Sequence, residues 1–207
     1  MSQHSMIDRY TAGERILHWL TAITFLLLAA SGLAFFHPSM YWMANLLGGG
    51  TWARILHPFI GVVMFVAFIL MALKFWRHNV LSGNDRAWLG KIGDVVANRD
   101  DKAPPIGRYN PGQKILFWVL LASMIVLLVS GIALWRPYFA PWFGIGTIRF
   151  GALMHALSAL ALILLVFVHI YSSFWVKGST EGMLSGKVSR SWAKAHHPQW
   201  YEEATRK

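Results

Sequence analysis

The chain has 207 residues, of which 56% are hydrophobic and only 14% are charged, whereas a soluble domain has about 25% charged residues. It contains no cysteine, which excludes disulfides, thiolate metal sites and iron–sulfur clusters held by the chain itself. The formal net charge of +10 would suit either nucleic acid or an anionic membrane surface.

Four segments are apolar and long enough to cross a bilayer, for which about 20 residues suffice. None of the nine Asp and Glu residues lies inside these segments. The first segment lacks a cleavage site with the flanks of a signal peptide, so we expect the chain to retain it as an anchor. The predicted spans are Trp19–Phe36, Pro58–Trp76, Ile115–Trp135 and Gly151–Val176.

The basic residues predict the orientation of these spans. The N-terminal segment, the second loop (counted from Lys74 to Lys114) and the C-terminal tail hold 16 of the 19 Lys and Arg residues. Cytoplasmic loops carry an excess of Lys and Arg, so we expect these three regions to face the cytoplasm. The positive charge thus reports topology rather than nucleic-acid binding. The sequence predicts an all-α membrane protein, a single domain over residues 1–207 with both termini cytoplasmic.

Two connecting segments predict short helices. The first outer loop, "HPSMYWMANLLGGGTWAR", combines interfacial aromatic residues with a glycine run and indicates a short surface helix. The cytoplasmic loop, residues 77–114, contains one predicted amphipathic helix, Ala87–Ala97, followed by turn residues. We find no internal sequence repeat.

Four histidines lie in or at the ends of the predicted spans. Burying an imidazole without hydrogen-bond partners in hydrocarbon costs about 2–7 kcal/mol, so ionisable residues there indicate function. His155 and His169 are 14 residues apart, which is about 21 Å along a helix and returns to nearly the same face. His57 begins the second span at the depth of His155, on the outside. His18 begins the first span at the depth of His169, on the inside.

Each depth-matched pair can place one nitrogen on either side of a flat metal centre. Imidazole is a standard axial ligand of haem iron, and four-helix bundles build cofactor sites from side chains on facing helices. We therefore predict a haem-binding bundle with two stacked bis-histidine haems b. A zinc site is the alternative chemistry, but zinc prefers four close ligands, and two pairs about 20 Å apart do not supply them.

Small residues near these histidines have two interpretations. Gly61 lies one turn after His57, where a bare backbone would let a macrocycle approach, and Ser31-Gly32 and Ser130-Gly131 would serve likewise. Helix–helix packing alone explains them equally well. The remaining histidines are interpreted as interfacial or solvated residues; they are His37 and His78 at span ends, and His4, His196 and His197 in polar tails.

Six stretches, which run nearly end to end, resemble the gamma subunit of respiratory formate dehydrogenase, the di-haem cytochrome b that anchors this enzyme in the bacterial inner membrane. They are "RILHW" around His18, "RILHPF" around His57, "GRYNPGQK", "WRPYFAPWF", "LMHALSALALILLVFVHIYSSFWVKGS" and "GKVSRSWAKAHHPQWY". The sequence departs from the family at Pro111, where a small residue is expected. The resemblance implies the same ligand pairs as the depth argument. His57 and His155 would hold the outer haem, and His18 and His169 the inner one.

The resemblance also implies a quinone site beside the inner haem, near the cytoplasmic side. It involves His169, Asn110, Gly112 and Gln113, with ubiquinone or menaquinone as the electron acceptor. The two amide side chains and the Gly112 N–H would bind the quinone oxygens at the turn that opens the third helix. The alternative is that this turn is merely a helix start.

In this family a catalytic alpha subunit outside the membrane oxidises formate, and an iron–sulfur beta subunit carries electrons to the cytochrome. The resemblance therefore implies that the chain passes electrons through two haems to quinone, while formate is oxidised on another subunit. It leaves open whether the heterotrimer assembles further.

Two other functions remain compatible with the residues alone. A cytochrome b subunit of a nickel–iron hydrogenase or thiosulfate reductase would share the four helices and the paired histidines. A haem-free transporter would instead relay protons through the histidines. The lack of intramembrane carboxylates and of an inverted repeat counts against the transporter.

Overall fold

The computed structural model describes residues 6–97, 99 and 102–206, so that His4 lies outside the described part. The helices are α1 Ala12–Phe36, α2 Gly50–Phe75, α3 Gly83–Leu89, α4 Ile92–Val96, α5 Pro111–Leu134, α6 Ile145–Trp175, α7 Ser179–Ser185, α8 Arg190–His196 and α9 Pro198–Thr205. Two strands, β1 Met6–Asp8 and β2 Lys187–Ser189, and the 3-10 helices Pro38–Leu47, Trp76–Asn79 and Ala140–Trp142 complete the fold.

Helices α1, α2, α5 and α6 confirm the predicted four-span architecture. Each is long and apolar enough to cross a membrane, with mean hydropathies between 2.0 and 2.7. Large apolar side chains on these helices are exposed, among them Leu73, Leu164 and Phe167. Such surface would be unfavourable in water but matches a hydrocarbon environment. All four helices begin before the predicted spans, because their first two turns include charged or small residues that lower the local hydrophobicity.

The first outer loop forms the 3-10 helix Pro38–Leu47, which confirms the expected short helix. His37 caps its start, where Nδ1 accepts the backbone N–H of Ser39 at 3.3 Å. Gly48 ends it in the left-handed region, at a φ of 85°, which favours glycine because no Cβ is present. His37 is exposed, as its interfacial interpretation predicts.

The loop over residues 77–114 departs from the prediction of one helix over Ala87–Ala97. Two short helices, α3 and α4, occupy this region and are separated at Gly90 and Lys91. The first is set by a capping box between Ser82 and Asp85, which begins it four residues earlier than expected. Apolar residues recur at helical spacing on both sides of Gly90 and Lys91, so their periodicity does not reveal the break between α3 and α4.

The chain forms two compact units. The bundle unit comprises residues 16–73 and 120–168, and the terminal unit comprises the described residues of 6–15, 74–119 and 169–206. In the bundle unit, Ala34, Ala44 and Ala53 are buried together, with 4%, 0% and 0% of their surface exposed. Helix α1, the outer 3-10 helix and α2 thus pack through small side chains, as membrane helices commonly do.

The terminal unit contains a two-stranded antiparallel sheet that the sequence analysis did not predict. Strands β1 and β2 pair with Ile7 opposite Val188. Val188, Ala193 and Trp200 form the buried core beside them. Gly186 precedes β2 at a φ of 86°, and a Cβ there would lie 2.7 Å from the Tyr10 carbonyl oxygen. This position therefore requires glycine for both conformation and space.

His197 was expected to be solvated, and the structure shows that this expectation was wrong. Its side chain lies in the terminal unit with only 4% of the residue exposed. Nδ1 lies 2.9 Å from the Gly107 carbonyl oxygen, which can only accept, and Nε2 lies 3.2 Å from Nη2 of Arg9, which can only donate. The ring is therefore neutral. Burial and the Arg9 guanidinium lower the pKa of His197 to about 3.

We expect this neutral histidine to make the terminal unit sensitive to acid. The folded pKa of about 3 lies below the ordinary value of 6.5, so below pH 6.5 the unfolded chain binds more protons than the folded chain. Stability is then complete above pH 6.5 and falls towards pH 3, by about 2 kcal/mol between pH 6.5 and 5. Thermal unfolding of wild type and His197→Gln at pH 7 and 5 tests this, because glutamine keeps a neutral donor and acceptor. An equal pH dependence in both proteins would contradict it.

Candidate functional site

His57 and His155 lie side by side in the bundle unit. His57 stands in the second turn of α2, and His155 stands ten residues after the start of α6. Their ring centroids are 6.3 Å apart and the ring planes are inclined by 57°. The edge of Phe35 packs against His57, with centroids 5.8 Å apart. The structure therefore brings together the two histidines that were predicted to pair near the outside.

A serine binds the same nitrogen of each imidazole. Ser31 Oγ lies 2.7 Å from Nδ1 of His57, and Ser130 Oγ lies 2.9 Å from Nδ1 of His155. Both hydroxyls also donate to the carbonyl oxygen four residues earlier in their helix, at 2.8 Å and 2.6 Å respectively. Because a hydroxyl has one hydrogen, a serine that gives it to this carbonyl accepts the proton of Nδ1. The neutral ring then keeps its free electron pair on Nε2.

A glycine lies beside each of the two rings, at a distance where a Cβ would make ordinary van der Waals contact. A Cβ on Gly32 would lie 3.7 Å from Cε1 of His57, and a Cβ on Gly131 would lie 3.4 Å from Cε1 of His155. A Cβ on Gly61 would instead meet Leu28, at 4.0 Å. Gly32 and Gly131 therefore serve the imidazoles themselves, while Gly61 faces a neighbouring helix. The sequence analysis offered a cofactor or helix packing for all three glycines and did not foresee this difference.

The other two predicted haem ligands lie in different units. His18 is half-buried in the bundle unit, where its ring meets Trp19 edge-on with centroids 5.3 Å apart. His169 belongs to the terminal unit, and its carbonyl oxygen accepts a hydrogen bond from Ser172 Oγ at 3.0 Å. Both residues stand on the helices that the sequence predicted, α1 and α6.

The predicted quinone residues open α5 in the terminal unit. Oδ1 of Asn110 accepts the N–H of Gln113 at 2.8 Å, and Oε1 of Gln113 accepts the N–H of Asn110 at 3.0 Å. This reciprocal pair caps the helix, and Pro111 takes the first helical position, which needs no N–H donor. Both amide oxygens are thus used by the backbone. The two NH₂ groups are not part of this cap.

A polar cavity of about 200 Å³ lies beside this turn. Tyr109 and Lys114, which flank the capped turn, both line it. The ammonium of Lys114 lies 3.1 Å and 3.0 Å from the two carboxylate oxygens of Asp85, and both side chains are largely buried. Burial opposes ionisation of Asp85, but the Ser82 N–H and Lys114 together hold the pKa of its carboxyl below the ordinary value.

The paired imidazoles fit a haem. Two nitrogens bound to one metal ion at about 2 Å each place the ring centroids roughly 6 Å apart, close to the 6.3 Å found here. The serine bonds leave Nε2, the atom that a metal would bind, without a proton. Among the described residues, no group of three or more His, Cys, Asp and Glu side chains could hold a metal ion. Zinc would need such a group, whereas haem iron needs two axial ligands.

A sequence model of the prokaryotic cytochrome b561 family matches residues 9–186. The chain belongs to this family. Membership of a cytochrome b family implies haem b as the cofactor. The four apolar helices and this membrane family together identify a multi-pass protein of the bacterial inner membrane.

Similar proteins cover nearly the whole chain. The formate dehydrogenase cytochrome b556(fdo) subunit of Escherichia coli is 48% identical over 203 residues, which are 98% of this chain and 95% of that protein. The nitrate-inducible formate dehydrogenase cytochrome b556(Fdn) subunit of the same organism is 44% identical over 98% of this chain and 94% of its own length. The formate dehydrogenase cytochrome b556 subunit of Haemophilus influenzae is 43% identical over 98% and 85%. The resemblance found in the sequence motifs is confirmed.

Proposed function

We propose that this cytochrome is the membrane subunit of a formate dehydrogenase, and that it passes electrons from an iron–sulfur subunit through two haems b to quinone. Formate oxidation then belongs to a catalytic alpha subunit and electron delivery to a beta subunit. The His57–His155 pair, with a serine hydroxyl at Nδ1 of each ring, is the observation that carries the electron-transfer role. Relatives named as formate dehydrogenase subunits favour this donor over a hydrogenase or thiosulfate reductase.

Paired imidazoles would hold each cofactor, which when bound supplies one-electron transfer. His57 and His155 would hold one haem b, supported by their spacing and by the serine bonds. His18 and His169 would hold the other, supported by their matched depth in the sequence and by the family resemblance. All four histidines stand on the long helices α1, α2 and α6.

We further propose that a quinone binds at the start of α5 near His169. The NH₂ groups of Asn110 and Gln113 would donate to the quinone oxygens, since the amide oxygens cap the helix. Reduction of a quinone to a quinol takes two electrons and two protons. The cavity lined by Tyr109 and Lys114 offers room for water beside this turn, and so a source of the protons.

The orientation follows from the distribution of basic residues. We propose that the N-terminal segment, the loop over residues 77–114 and the C-terminal tail face the cytoplasm. The quinone site then lies on the cytoplasmic side, and His57 and His155 lie towards the outside.

Histidine replacement tests the ligand pairs. Wild-type protein should contain two haems b per chain, and each of four single His→Ala variants should lose one of them, because one missing ligand opens one centre. Redox-titrated optical spectra should show the same centre lost with His57 or His155 and the other lost with His18 or His169. His37→Ala, at an exposed capping residue, is the control and should retain both. A different grouping, or a folded and active haem-free protein, would refute the proposal.

Amide-to-acid replacements test the quinone contacts. Asn110→Asp and Gln113→Glu keep the oxygens that cap α5, because Asp is a good N-cap and Glu completes a capping box, but they lose the NH₂ donors. We expect the KM for quinone to rise about 2–10-fold, the value of one hydrogen bond, with thermal stability and haem content unchanged. Asn110→Ala should also lose stability, by about 1 kcal/mol. An unchanged KM in both acid variants would support the helix-start interpretation instead.

Single cysteines test the orientation, because the chain has no cysteine of its own. Ser39 and Ala87 are exposed and lie in the first outer loop and in α3. In spheroplasts, a membrane-impermeant thiol reagent should label Ser39→Cys, while Ala87→Cys should react only after the membrane is opened. The reverse pattern would overturn the topology.

A further inference from the structure

The second hydrogen bond of each serine favours one direction for the serine–histidine bonds of the bundle unit. A backbone carbonyl can only accept a hydrogen bond, and each serine hydroxyl donates its hydrogen to one, at 2.8 Å from Ser31 to Leu27 and at 2.6 Å from Ser130 to Val126. The serine oxygen is therefore available to Nδ1–H as an acceptor only. Ser31 and Ser130 are 1% and 6% exposed, so water does not compete for these bonds.

We infer that Ser31 and Ser130 are positioning residues that fix the tautomer and orientation of His57 and His155 and lower the reduction potential of the centre they hold. An imidazole that donates Nδ1–H to an acceptor becomes a more basic ligand at Nε2. A more basic ligand favours the ferric over the ferrous ion, and hydrogen bonding around a haem is one of the protein's controls on its potential. This inference rests on the proposed ligation by His57 and His155.

The two serines are not equivalent. His57 is bonded to Ser31 at the shorter distance, 2.7 Å against 2.9 Å. Removing the Ser31 hydroxyl should therefore have the larger effect on the potential.

The test uses the purified full-chain protein with its haem, and compares Ser31→Ala, Ser130→Ala and Ser31→Cys with wild type. Thr24→Val is the matched control, because Thr24 also donates to the carbonyl four residues earlier in α1, at 2.7 Å, and is likewise buried. The readouts are the midpoint potential of each haem and the low-temperature electron paramagnetic resonance spectrum of the ferric protein.

We expect Ser31→Ala to raise the potential of one haem only, by up to about tenfold in the equilibrium constant for reduction, which is about 59 mV for one electron. Ser130→Ala should raise the same centre by less and change its ferric spectrum. Ser31→Cys should give an intermediate shift, since a thiol is a weak acceptor. Thr24→Val should change neither potential.

Each result bears on the inference. Unchanged potentials in Ser31→Ala and Ser130→Ala with both haems retained would overturn it. If Ser31→Ala lost its haem, Ser31→Cys would decide, and a wild-type potential there would also overturn it. Failure of the ligation itself is recognised separately, because His57→Ala and His155→Ala would then both retain two haems.

Discussion

A polar group buried in hydrocarbon needs a partner for each of its hydrogen-bond donors and acceptors. This requirement applies to both imidazoles of the His57–His155 pair. A serine oxygen serves the donor at Nδ1 of both rings. The same hydroxyl donates its hydrogen to a carbonyl of its own helix, so that its oxygen accepts from Nδ1. The acceptor at Nε2 would then be available to a metal. A metal bound at Nε2 would satisfy the one remaining acceptor of each ring.

The bundle unit builds this arrangement twice. Ser31-Gly32 on α1 serves His57 on α2, 26 residues beyond the serine, and Ser130-Gly131 on α5 serves His155 on α6, 25 residues beyond its serine. In both cases the serine binds the ring and the following glycine lies beside it. Two helix pairs with little sequence in common therefore present equivalent ligands to each other.

The sequence predicted the features that hydrophobicity and depth control, namely the four spans and the pairing of His57 with His155. It did not predict the serine bonds, because a Ser-Gly pair in a membrane helix is equally typical of packing. It placed His197 in solvent, since polarity along the chain does not reveal that the tail folds onto Arg9. The β1–β2 pairing was also not predicted, because three-residue strands far apart in sequence carry no periodic signal.

The last turns of the chain are part of a core. Arg9 is 5% exposed, and its guanidinium lies 4.6 Å from the Trp200 ring centroid and within hydrogen-bond reach of His197. Truncating the chain before β2 would remove the His197 and Trp200 contacts of this buried cation and leave β1 without its neighbouring strand. A shortened version of the chain should therefore keep α8 and α9, whose Ala193 and Trp200 belong to this core.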